Sequence, residues 1–142
     1  NSNYAAVIPL FMKQLMEHES PVINGDGSFS RDFTYIDNVI QMNILSMITK
    51  NEEALNQIYN TACGERTTLL TLVKCLKKQL SKYDPVIKNV KITHGPIRDG
   101  DVPHSLASIQ KARKLLSYSP SFSFKEGLKD TAEWYYKTYG AW

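Results

Sequence analysis

The chain has 142 residues, 42% of them hydrophobic and 22% charged, with a formal net charge of +3. That length suits one soluble globular domain, or a piece of something larger, and is enough to bury a core. The charge is mild and the lysines (Lys74, Lys77, Lys78, Lys111, Lys114) scatter along predicted helices, which argues against nucleic acid, and no apolar run approaches the ~18 residues of a membrane span.

Asn3 is the expected cap of a first helix, with Ile8, Phe11, Met12 and Leu15 at helical spacing and Pro9 in its first turn. His18-Glu19-Ser20-Pro21 stops that helix, and Val22-Ile23 reads as a short strand. The chain turns on Asn24-Gly25-Asp26-Gly27, and a helix opens near Asp37, the expected N-cap. Ile36, Val39, Ile40, Ile44, Met47 and Ile48 then fall on one apolar face. Ile58-Tyr59-Asn60-Thr61-Ala62 reads as a strand broken by Gly64. Thr67 or Thr68 caps the next helix, whose buried stripe is Leu69, Leu72, Val73, Leu76 and Leu80, and Asp84-Pro85 ends it. Val90 and Ile92 alternate with polar residues in a third strand, interrupted by His94-Gly95-Pro96. After the loop 97–105 comes a helix seeded near Ser108, with Ile109, Ala112, Leu115 and Leu116. A last helix opens at the capping box Ser123 to Glu126 and carries Leu128, Ala132 and Tyr135. Strands separated by helices, without internal repeats, give an α/β fold class and one domain over 1–142.

Two stretches carry candidate binding chemistry. Arg31 lies beside a glycine turn and ahead of a helix start, and its five fixed donors suit a phosphate. Arg98-Asp99-Gly100-Asp101 repeats the theme, with an aspartate placed to accept from ribose hydroxyls. Its ordinary alternative is a surface ion pair. Asn60 ends a strand that reads as buried, where its amide would either hold a loop or touch a ligand. Asn24-Gly25-Asp26-Gly27-Ser28 is not a calcium loop, because Phe29 and Tyr35 stand where glycine and glutamate are needed. His18, His94 and His104 show no ligand spacing, and Cys63 and Cys75 read as free thiols of a reducing compartment, so no metal is expected. The polar start Asn1-Ser2-Asn3-Tyr4 has no signal peptide and no initiator methionine, as in a processed or truncated chain. No G-x-G-x-x-G, no Tyr-x-x-x-Lys and no G-x-S-x-G occurs, so no catalytic residue is assigned.

Four segments in order, A-A-V-I-P (5–9), I-N-G-D-G-S-F-S-R-D-F-T-Y-I-D-N (23–38), I-Y-N-T-A-C-G (58–64) and R-D-G-D-V-P-H-S (98–105), carry a family resemblance. The chain resembles the C-terminal, substrate-binding part of extended short-chain dehydrogenase/reductases acting on nucleotide sugars, and most closely the UDP-N-acetylglucosamine 4-epimerases. The resemblance runs from Tyr4 to about Tyr136. It implies a small α/β substrate-binding domain of short strands and about five helices, with the N-terminal Rossmann half absent. It also implies binding roles. Ala6 and Val7 would line the nucleotide end of a UDP-sugar pocket, Val22 and Asn24 would contact uracil, Arg31 and Arg98 the diphosphate, and Asp101 the ribose. Ser105 matches a position where galactose-type relatives carry a bulky tyrosine, so its small side chain would leave room for an N-acetyl group.

Such enzymes oxidise C4 of the sugar with a tightly held NAD, rotate the keto intermediate and return the hydride to the other face. The implied parent is therefore a cytoplasmic, homodimeric isomerase serving surface polysaccharide synthesis. It would interconvert UDP-N-acetylglucosamine and UDP-N-acetylgalactosamine, or their uronic acids. Its partner here would be the missing nucleotide-binding domain, and this chain alone is expected to bind no NAD and to be inactive. A related nucleotide-sugar dehydratase or decarboxylase is the nearest alternative, and a non-catalytic nucleotide-binding module the next.

Overall fold

The protein is described here from a computed structural model, whose described residues are 6–140, so the expected cap Asn3 lies outside them. In chain order the elements are α1 (Val7–Met16), β1 (Val22–Asn24), β2 (Ser30–Arg31), α2 (Ile36–Ile48), β3 (Thr67–Thr68), α3 (Leu69–Leu80), β4 (Thr93–Gly95), α4 (Gln110–Leu116) and α5 (Phe124–Tyr139). Short 3-10 turns stand at Glu52–Ala54 and Pro85–Asn89. The α/β class with five helices agrees with the sequence reading. The elements gather into two compact units. One is built from the chain up to Phe29, from Thr68–Pro103 and from Leu128 onward, the other from Ser30–Thr67 and His104–Gly127.

In the first unit α1 packs on α3. Phe11, Met12 and Leu15 of α1 and Leu72, Val73, Leu76 and Leu80 of α3 are buried, a helical stripe from each partner. Thr68 is the cap, its hydroxyl accepting from the Thr71 amide at 3.1 Å. The ladder of this unit is parallel, β1 with β4, in the register Val22 to Thr93, Ile23 to His94 and Asn24 to Gly95. This strand lies further along than the alternation of Val90 and Ile92 predicts. Asp84-Pro85 does more than end a helix: the Asp84 carboxylate accepts from the Val86 amide at 2.9 Å and opens a 3-10 turn. Val90 is buried as the residue closing that turn, where its carbonyl accepts from the Lys77 ammonium, and pairing begins only at Thr93.

In the second unit β2 is paired with β3, the strand at which the chain leaves this unit. Its core is Met42, Ala54, Ala62, Ile109, Ala112, Leu116 and Tyr118. Tyr118 is buried with its hydroxyl donating to the Ala62 carbonyl at 2.9 Å, so its polar end has a partner. Gly127 is forced by a close approach, because a Cβ there would stand 2.5 Å from Cβ of Tyr35. The capping box forms as read, with Glu126 accepting from the Ser123 amide at 2.9 Å.

Three expectations fail in this unit, the second and third because they depended on a partner the local pattern does not specify. First, α2 starts at Ile36 with Tyr35 before it, and Asp37 sits inside the first turn with no side-chain cap bond. Second, the apolar face of α2 is not its buried face: Ile36, Ile40, Ile44, Met47 and Ile48 are exposed, Met47 by 83%, while Asn38 and Met42 are buried. Third, Ile58–Ala62 forms no strand, and Ile58 is 89% exposed. An apolar run reads alike whether or not a neighbouring strand supplies hydrogen bonds, and among the described residues none does.

Candidate functional site

In the first unit the β1–β4 ladder sets several predicted residues near one another. Val22 and Asn24 lie on β1, the Gly25 amide donates to the Gly95 carbonyl at 2.9 Å, and Nδ1 of His94 meets the Gly25 carbonyl at 2.7 Å. Asn24 thus stands beside the end of β4, and three residues later the chain reaches Arg98. Arg98-Asp99-Gly100-Asp101 is a turn closed by the Asp101 amide on the Arg98 carbonyl at 3.2 Å. Gly100 has φ +83°, a left-handed conformation that a side chain would disfavour. Arg98 and Asp101 occupy the two ends of this turn and are exposed. The ion pair that is their ordinary alternative is not formed. Ala6 and Val7 belong to another element of the unit, the start of α1, where the Ala6 carbonyl accepts from the Leu10 amide.

The second unit brings Arg31 and Ser105 to one atom. The Ser30 carbonyl accepts Nη1 of Arg31 at 2.9 Å and the Ser105 amide at 3.0 Å. Ser30 itself is 4% exposed, and its hydroxyl is bonded to Nδ1 of His104 at 2.9 Å. Asn60 stands apart from this pair. It is exposed rather than buried, and its amide donates to the Ser108 carbonyl at 3.3 Å, which fits the loop-holding alternative. The loss of the expected strand accounts for its exposure. Beside it lies an open cavity of about 340 Å³ lined by Gly64, Leu106, Ser108, Ile109, Gln110 and Arg113.

Residues the sequence reading passed over hold this second cluster together. The two carboxylate oxygens of Asp32 accept from the Cys63 and Gly64 amides, both at 3.0 Å. Asn38, fully buried, donates to the Phe122 carbonyl at 2.8 Å and accepts from the Phe122 amide at 3.0 Å, imitating a strand partner. Both lie in the same R-D-F-T-Y-I-D-N run as Arg31, so the signal in the sequence is the run itself. Burial, and then the Asp32 carboxylate, push the Cys63 thiol up, so Cys63 is a packed group and a poor nucleophile. Each histidine has a hydrogen-bond partner, His18 on Asp84, His94 on Gly25 and His104 on Ser30. No group of three or more His, Cys, Asp or Glu among the described residues could hold a metal ion.

An arginine beside a glycine turn, with an aspartate close in sequence, has the chemistry to meet a nucleoside diphosphate, and comparison with known proteins decides the family. The sequence model of the GDP-mannose 4,6-dehydratase family matches residues 3–131. The chain belongs to this family. Within it, the chain matches the C-terminal part of extended short-chain dehydrogenase/reductases of the nucleotide-sugar epimerase/dehydratase kind. It is 31% identical over 130 residues to a putative UDP-glucose 4-epimerase of Methanocaldococcus jannaschii, covering 92% of this chain and 39% of that protein. The crystallised UDP-N-acetylglucosamine 4-epimerase of Methanobrevibacter ruminantium, in complex with UDP-N-acetylmuramic acid, is similar at a TM-score of 0.81 and 35% identity. That match covers 97% of this chain and 41% of the epimerase. The UDP-glucuronic acid 4-epimerase of Bacillus cereus, in complex with UDP-glucuronic acid and NAD, matches at a TM-score of 0.74 and 28% identity, over 94% of this chain and 40% of the other. The family member in hand therefore spans about two fifths of the length of the relatives it matches.

Proposed function

We propose that this chain supplies the sugar-nucleotide-binding portion of an NAD-dependent UDP-N-acetylglucosamine 4-epimerase. The observation that carries the reading is the Arg98–Asp101 turn, which presents a cation and a carboxylate at its two ends, both exposed and neither in an ion pair with a described residue. An unpaired arginine there meets a diphosphate oxygen, and an unpaired carboxylate accepts from ribose hydroxyls. Arg31 is the second diphosphate ligand; a guanidinium has five donors, so the bond to Ser30 does not exhaust it. Val22 and Asn24, on the strand beside that turn, take the uracil, and Ala6 and Val7 line the nucleotide end. Asn60 serves the ligand through the loop it holds to Ser108.

The N-acetylated sugar is favoured by Ser105, a small residue on the segment tied to Ser30. The relative bound to UDP-N-acetylmuramic acid accepts an N-acetylated sugar, in keeping with that choice. For NAD the residues present do not fit. The 142 residues contain neither a dinucleotide fingerprint nor a Tyr-x-x-x-Lys pair, so the chemistry ascribed to this chain is to bind and orient the substrate. Assayed alone with UDP-N-acetylglucosamine and added NAD, it is expected to give no turnover.

Titration with UDP-N-acetylglucosamine, followed by NMR, tests the site. Saturable shifts are expected at Asn24, Arg31, Arg98 and Asp101. Shifts confined to α3 around Lys77 would contradict the assignment.

A further inference from the structure

Ser30 takes no part in the roles above, yet it is the residue on which the second cluster converges. It is the first residue of β2, a strand only two residues long, so little ladder holds it in place. Its carbonyl accepts from both Arg31 and Ser105, and a parallel bridge aligns Ser30 with His104. The side chains add a further tie, the 2.9 Å bond between the Ser30 hydroxyl and Nδ1 of His104. An unprotonated Nδ1 accepts from the hydroxyl and a protonated one donates to it, so the tie stands with either state of the ring. Ser30 is 4% exposed and so is screened from any ligand, whereas His104 is exposed.

We propose that Ser30 and His104 are positioning residues, a side-chain tie that fixes the Ser30 carbonyl and through it sets the Arg31 guanidinium and the Ser105 backbone for a UDP-sugar. A guanidinium binds a phosphate well only when its donors are aimed, and one anchored to a fixed carbonyl has less freedom to lose on binding. The inference rests on the reading of Arg31 and Ser105 as ligand residues given above.

The test is the affinity of the 142-residue chain for UDP, measured by NMR titration against Ser30→Ala, His104→Leu, the double variant, His104→Asn and Arg31→Ala. Loss of one hydrogen bond of this kind is worth about 3- to 10-fold, so Ser30→Ala and His104→Leu should each weaken UDP by that factor. The double variant should be no weaker than either single one to within about twofold, because both remove the same tie. His104→Asn, whose amide reaches the place of Nδ1, should restore affinity, a rescue that a general loss of fold would not give. Uridine, which lacks the diphosphate, should bind all of these equally. If Arg31→Ala weakens UDP while Ser30→Ala does not, the positioning role is overturned and the site reading stands. A loss with His104→Leu alone would mean direct contact by the ring and would overturn it as well. If wild type shows no saturable binding, or Arg31→Ala leaves UDP affinity unchanged, the site reading fails and this inference with it.

Discussion

Asn38 is a polar residue in a fully buried position, and its amide makes the backbone of Phe122 part of the second unit's core. Replacing it with alanine leaves the part-buried Phe122 amide without this acceptor and its carbonyl with only the weaker Cys63 Sγ donor at 3.8 Å. The cost should be about 2–4 kcal/mol, seen as a lower urea midpoint at unchanged slope, while Asn43→Ala on the exposed side of the same helix should stay within about 0.5 kcal/mol. Asn38 also shows how legible single residues are. Arg31, Arg98 and Asp101 stand out in the sequence as candidate binding groups because each is a charge beside a glycine turn. Asp32 and Asn38 do not, since a carboxylate on two amides or an amide on a peptide bond is defined by groups distant in sequence, Cys63 and Gly64 for one and Phe122 for the other.

Most elements whose signals are local form as expected, the Asp37 cap excepted, and those that need a partner do not. The Thr68 cap and the Ser123–Glu126 box each join residues three apart and form as expected. The exposed apolar face of α2 and the unpaired segment 58–62 depend on what lies opposite, which periodicity does not encode. The end of α1 joins both kinds of signal. His18 takes φ +58° just past the helix, with its amide bonded to Leu15 and the Glu19 amide to Gln14, the double bond pattern usually completed by glycine. Its ring meets the Asp84 carboxylate at 2.6 Å, a link to the turn after α3 within the same unit. That hydrogen bond holds the Asp84 carboxyl below the usual range. A folded-state value below the unfolded one contributes stability above the unfolded carboxylate pKa of about 3.9, and loses it as pH falls through the folded value. Asp84→Asn should therefore lose less stability than wild type between about pH 5 and about pH 2, read from urea midpoints. Equal acid slopes for the two proteins would show that the His18 link contributes nothing.

On the scale of the whole chain, the nucleotide-sugar family was legible from four short segments because they combine turn chemistry with charge. The sugar and the reaction were less so, since relatives of comparable similarity have names that specify UDP-glucose, UDP-N-acetylglucosamine and UDP-glucuronic acid. What the account ascribes to this two-fifths of such a protein is recognition of a diphosphate by Arg31 and Arg98. The direct measurement is the affinity for UDP against that for uridine, by NMR titration, in wild type and in the Arg31→Ala/Arg98→Ala variant. Charge-assisted bonds from two guanidinium groups should make UDP about tenfold or more tighter than uridine in wild type, and the double substitution should erase the difference. Equal affinities in wild type, or a preference for UDP that survives both substitutions, would contradict it.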